Sequence, residues 1–167
     1  GNMPQGLTHL AVIKAAVTLR GEELSRPWWR SLPHIANSRA MTAQKLPPQL
    51  AFLEGGGAAT RLILDRDWAD HPFGPPETWP DAFRVALSLV LNSPESMILA
   101  WGPDLHFFFN ETYFPLLGPR LSWAMGARFD EVWADALDQA RPIIDDALAG
   151  RTPVSYTHLR AHETSLH

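Results

Sequence analysis

The sequence predicts an α+β fold built on one β-hairpin with helices packed against it. Two apolar runs, 96–101 and 105–109, have strand length and flank the turn-forming residues Gly102, Pro103 and Asp104. Ahead of them, Phe83, Ala86, Leu87, Val90 and Leu91 recur at the spacing of one helix side. Behind them, Ile143, Ile144, Ala147 and Leu148 repeat that spacing between Pro142, suited to a first turn, and Gly150, a natural stop.

Taken in chain order, the elements follow from their punctuation. Pro47, Pro48 and the glycines Gly55, Gly56 and Gly57 bound a weak helical stretch at 49–54. A short helix is expected over 58–68, with Leu62, Ile63 and Trp68 as its apolar members. Residues 71–80 contain four prolines, too many ring constraints for a helix or a central strand. Thr78 is the expected cap of the next helix, with Pro80 and Asp81 suited to its first turn, and Asn92, Ser93 and Pro94 end it after Leu91. Asn110 is expected to cap a helix over 111–117, which Pro115 keeps short or distorted. Gly118 and Pro119 break it, Gly126 marks a second turn, and 130–139 reads as a helix that Pro142 would interrupt.

Composition narrows the function classes. The chain has 167 residues, enough for one domain, and 46% of them are hydrophobic, which supplies a packed core. Fourteen Lys and Arg against 18 Asp and Glu give a net charge of -4, which argues against a general nucleic-acid binder. With no Cys, a disulfide scaffold, a thiolate zinc site, a Cys nucleophile and a cysteinyl flavin adduct are all excluded. No run of about 18 apolar residues exists, so no membrane span is expected. Residues 10–19 are apolar but short, carry Lys14 and lack a signal-peptide cleavage site, so a cytoplasmic location is expected.

The charge is not spread evenly. Residues 1–40 carry a net of +3 and residues 41–152 a net of -7. Met41 opens the acidic piece, so 1–40 reads as a leader, either a disordered arm or a stretch translated ahead of the true start. At the other end, residues 154–164 (Val-Ser-Tyr-Thr-His-Leu-Arg-Ala-His-Glu-Thr) resemble the translation of a transposon-derived sequencing adapter. Residues 153–167 are therefore expected to be an artefactual tail. That tail holds the chain's most tempting motif: His158 and His162 at i, i+4, followed by Glu163. The motif lacks the internal Glu of a metalloprotease helix, so no metal site is assigned to it.

Between these ends the order of motifs points to a family. Asp67-Trp68, then Pro72-Phe73-Gly74-Pro75, then Trp79-Pro80 with Phe83-Arg84, resembles the opening of a group of bacterial PAS domains found near the N-terminus of sensor histidine kinases. Trp101-Gly102-Pro103-Asp104-Leu105, Phe109-Asn110-Glu111-Thr112-Tyr113, Leu116-Leu117-Gly118, Gly126 and Glu131-Val132-Trp133 continue the likeness in order, over about residues 60–152. Two places depart from it: Phe109 stands where the family usually has Tyr, and 120–123 where a Lys-His-Pro stretch is common. The resemblance implies a five-stranded antiparallel sheet with helices on one face. Only two strands are found before the tail, so the expected fold is a partial PAS-like one, lacking the last three strands and leaving the hairpin's outer strand with an unpaired edge.

Each singled-out residue has a plain reading beside the functional one. Asn110 can serve signalling, but a helix cap plus a turn tie explains it and is favoured. Trp68, Trp79, Trp101 and Trp133 can line a pocket, but rings of this size more often fill a core. Gly74, Pro75, Pro80, Gly102 and Gly126 belong to the structural motif. By the family likeness, Tyr113, Leu116, Leu117 and Trp133 are the ligand-pocket candidates. His106 is expected on the outer face of its strand, exposed, and not a haem ligand. The adjacent carboxylates Asp130-Glu131 and Asp145-Asp146 read as helix-surface charge, not as a catalytic pair. No catalytic residue is assigned.

The function so implied is a sensory input module of a two-component sensor histidine kinase, regulating by ligand or partner binding an output kinase domain absent from this chain. Haem and flavin both occur in PAS folds, and nothing in these residues selects either. A homodimer through the helix from Asp81 to Leu91 and the elements before it is the expected self-association. An alternative is an interaction or dimerisation module with no ligand. A remote one is a metal-dependent hydrolase using His158 and His162.

Overall fold

In the computed structural model, which describes residues 10–14 and 45–149, the two apolar runs pair as β2 (Met97–Trp101) and β3 (His106–Phe109). Their antiparallel register sets Ile98 opposite Phe109, Leu99 opposite Phe108, Ala100 opposite Phe107 and Trp101 opposite His106. Leu105 lies in the turn with φ of 51°, and its N–H donates to the Gly102 carbonyl at 3.1 Å. A third strand, β1 (Leu10–Lys14), pairs antiparallel with β2, from Leu10 opposite Trp101 to Lys14 opposite Met97. The sheet order is β1-β2-β3. The charge break that marks 1–40 as a leader carries no hint of this strand.

Four residues of β3 in a row are buried, so alternation between a wet and a dry face fails here. His106 and Phe108 face the segments that precede the hairpin, whereas Phe107 and Phe109 face those that follow it. Helical elements therefore cover both faces of the hairpin, not one, as a continuous apolar strand requires.

The layer before the hairpin begins with a 3-10 turn, Pro48–Leu53, and helix α1, Ala58–Asp65. Helix α1 stops three residues short of the expected end. Arg66 is extended, the indole Nε1 of Trp68 donates back to the Ile63 carbonyl at 2.8 Å, and Asp67 accepts the Ala69 N–H at 2.9 Å. Helix α2 runs Asp81–Leu91 as its periodicity predicts, burying Phe83, Leu87, Val90 and Leu91. Thr78 does not cap it. Pro80 holds the cap position with φ of -69°, and the Thr78 hydroxyl instead donates to the Pro75 carbonyl at 2.7 Å, closing the short turn Pro76–Thr78.

The layer after the hairpin is broken into short pieces. A 3-10 turn at Glu111–Tyr113 leads into α3 (Phe114–Leu117), with Pro115 at the start of the α-helix proper, where its missing N–H costs nothing. Gly118 turns the chain at φ of 55° into a further 3-10 turn, Gly118–Ser122. The expected helix over 130–139 is two helices, α4 (Phe129–Val132) and α5 (Leu137–Leu148). The break comes at Trp133, whose φ of -117° and ψ of 40° leave the helical region. Pro142 lies inside α5 and does not open it, and Gly150 falls outside the described residues. Of the apolar members foreseen there, Ile144 is buried.

Candidate functional site

The nominated residues fall on both sides of the hairpin. On the Phe107 side, Tyr113 stands 5.8 Å from Phe107 and 6.0 Å from Phe109 between ring centres. Its ring is edge-on to Trp133 at 6.5 Å, and the Arg120 guanidinium lies 4.6 Å above the Trp133 ring while pairing with Asp135 at 2.9 Å. Leu117 is buried in the same core, and Leu116 is half-buried at its margin. Two of the four pocket candidates, Tyr113 and Trp133, thus touch directly. Their edge-to-face contacts make this region an aromatic packing unit with one cation–π cover.

The other side gathers the structural motif. Trp68, Trp79 and Phe73 all lie within about 6 Å of the Phe108 ring, and Phe83 bridges Phe108 to Trp101 at 5.0 Å each way. The Gly74 carbonyl accepts the Trp79 indole N–H at 3.0 Å, which fixes the ring that fills the layer. The motif tryptophans Trp68, Trp79 and Trp101 are thereby core residues.

Asn110 holds the N-cap position of the Glu111–Tyr113 turn without a side-chain cap bond. Its amide instead donates to the carbonyls of Val90 (3.0 Å), Ser93 (3.4 Å) and Glu95 (2.6 Å), and its Oδ1 accepts the Met97 N–H at 3.1 Å. It is a turn tie and not a cap, joining the exit of α2 to the far end of β3.

A cluster that no spacing rule revealed sits at the outer edge of β3. His71 Nδ1 accepts the Phe73 N–H at 3.0 Å, so its proton is on Nε2, which donates to the Gly126 carbonyl at 2.7 Å. His106 donates to the same oxygen from Nδ1 at 3.1 Å. Contrary to the expected exposed strand position, His106 is only 7% exposed, because the 68–73 segment covers that face of the sheet and brings His71 to 4.5 Å between ring centres. Burial pushes both imidazoles below their usual range, His71 to about 4, and the Gly126 hydrogen bond offsets this only in part. Sequence separations of 20 and 55 residues to Gly126 hide the cluster from motif reading.

Gly126 itself has φ of 82°, and a Cβ there would stand 2.6 Å from Cη2 of Trp68. Gly126→Ala combines a strained backbone with overpacking against a buried ring, and is expected to cost about 3 kcal/mol in a urea unfolding series. Gly118→Ala, where a Cβ meets nothing within 4 Å, carries backbone strain alone and should cost clearly less.

Across the molecule, Glu111 Oε2 accepts the Ala58 N–H at 3.3 Å, placing a carboxylate at the start of α1. Among the described residues no three His, Asp or Glu side chains group as metal ligands, and no helix is long and apolar enough to cross a membrane. His158, His162 and Glu163 lie outside the described residues. Comparison with protein-family models, with curated proteins and with solved structures finds no match for this chain.

Proposed function

We propose that residues 41–152 are the N-terminal part of a PAS-like sensory module that biases a downstream histidine-kinase output by ligand or partner binding. The observation that carries this reading is convergence. The residues of the ordered motif, from Trp68 through Trp79, Trp101 and Asn110 to Trp133, meet on the two faces and at the end of a single hairpin. They pack as one unit among the described residues, which is what supports reading the ordered motif as a whole. In this reading a ligand or partner engages the Tyr113–Trp133 side and shifts the balance between arrangements of the helical layers, with no chemistry at the module itself. The test is to resequence the genomic locus past codon 152. A frame continuing into three further strands and then a phosphoacceptor helix and ATPase domain is the expected result. A locus that encodes the tail and a stop overturns it.

One observation favours the interaction-module reading beside it. Val85 and Leu89 on α2 are 62% and 68% exposed, although the opposite side of the same helix is buried. With exposed Ala82 and half-buried Ala86 they form an i, i+3, i+4, i+7 stripe. An antiparallel second copy would set Leu89 against Ala82 and Val85 against Ala86, large against small at every position. A helix of 11 residues buries well under about 1,200 Å² in such a pair, so the expected dimer is weak. Sedimentation over a concentration series should show mass rising for the native chain. The Val85→Glu/Leu89→Glu variant should stay monomeric with an unchanged circular dichroism spectrum. A native chain that is monomeric at about 0.5 mM removes this surface from consideration.

A further inference from the structure

The outer edge of β3 is not open, as a two-stranded reading expects, because residues 126–129 run along it as a strap. The Gly126 N–H donates to the Phe107 carbonyl and the Phe107 N–H to the Ala127 carbonyl, both at 2.7 Å, and the Phe129 N–H reaches the Leu105 carbonyl at 2.9 Å. His106 and Arg128 form the bridge between the two segments. The strap thereby satisfies backbone groups that an edge strand otherwise presents to other chains.

What holds the strap from its other side is the pair of imidazoles sharing the Gly126 carbonyl. The contacts of His71 require its neutral form, whereas the Nδ1–H bond of His106 can be made by either form. His71 has no nitrogen free for a second proton, since one there would set N–H against the Phe73 N–H across 3.0 Å. Two cationic rings 4.5 Å apart would also repel at short range. The charged surroundings sharpen this. Arg66, whose Nη1 donates to the Met125 carbonyl at 2.9 Å, opposes a positive charge on either ring. Arg128 opposes one on His106 while Asp104 favours it, and Arg128 is itself engaged by Asp104 at 3.7 Å and Asp130 at 2.9 Å. Glu131 acts on Arg66.

We propose that His71 and His106 form a proton-operated latch, in which protonation of His71, or of both rings together, releases the strap at 126–129 and uncovers the edge of β3. The proposal stands on these contacts and does not depend on the sensory reading. The direction follows from linkage. An imidazole freed by opening titrates near its ordinary value of about 6.5, whereas the closed state holds His71 near about 4. The open state therefore binds protons more readily, and opening is favoured as pH falls from about 6.5 toward 4, while the strap stays closed at neutral pH.

Amide hydrogen exchange on the full 167-residue chain tests this, with rates corrected for the intrinsic pH dependence. The reporters are the N–H groups of Gly126, Phe107 and Phe129, and the amides pairing β2 with β3 are the internal reference. Protection of the reporters should fall about tenfold or more between pH 7 and pH 4.5 while the reference holds. His71→Gln keeps an N–H donor but cannot titrate, and should reduce the pH response, and His71→Gln/His106→Gln should abolish it. A parallel loss in reporters and reference overturns the proposal, as does an unchanged response in the double variant. If the variants do not fold, the native series decides alone.

Discussion

Phe108→Ala is expected to remove about 4 kcal/mol of stability, read as a lower urea midpoint at unchanged slope. Phe108 is fully buried and is the ring on which the layer before the hairpin converges. Trp68 and Phe73 stack on it at 6.0 Å, Trp79 meets it edge-on at 5.7 Å and Phe83 at 5.0 Å. Those four side chains come from the α1 exit, the proline-rich connection and α2, so they cannot close over the lost ring without moving three segments at once. The cavity term is therefore large here, on top of the transfer cost of the ring itself. Phe108→Leu, which keeps most of the volume, should cost about 1.5 kcal/mol. A loss below about 2 kcal/mol for Phe108→Ala would mean that residues 66–79 are not docked on the hairpin as a layer.

How much of this was legible depends on how local each signal is. Helix α2 and the hairpin were readable because their periodicity and turn residues lie within a dozen positions. Strand β1 was not, since its partner β2 lies far along the chain and nothing at 10–14 encodes that pairing. The burial of His106 was legible in principle. Three phenylalanines in succession after it announce a strand covered on both faces, and alternation was the wrong template for them. The Thr78 cap failed because Pro80 already supplies the extended backbone a cap position needs. At the pocket candidates, only the family likeness grouped Tyr113 with Trp133, and whether they frame a space or fill it depends on the tilt of two rings. The imidazole cluster joins positions 71, 106 and 126 through a backbone carbonyl, an atom every residue has and no motif can mark.

Asn110 separates a local reading from a tertiary one most sharply, because Asn→Asp is nearly silent at a helix cap. If its role were capping the turn at 111–113, Asn110→Asp would cost a few tenths of a kcal/mol. The geometry demands the opposite. The side chain is 1% exposed, and its amide faces the three carbonyls of Val90, Ser93 and Glu95, with only Oδ1 turned to an N–H. Aspartate keeps the Met97 bond but sets a buried carboxylate oxygen against carbonyl oxygens that can only accept. Neutralising it by protonation restores one donor where three acceptors wait. Asn110→Asp is therefore expected to cost about 4 kcal/mol at pH 7, more than Asn110→Ala at about 3 kcal/mol, which leaves the same carbonyls unpaired but buries no charge. The Asp variant should recover part of its deficit as pH falls, because its carboxyl is held above the range it has in the unfolded chain, so acid favours its folded state relative to the native chain's. Urea midpoints for the native chain and both variants at pH 7 and pH 5 decide the matter. Should Asp prove milder than Ala, the tie from the α2 exit to β3 is not what holds the hairpin's end.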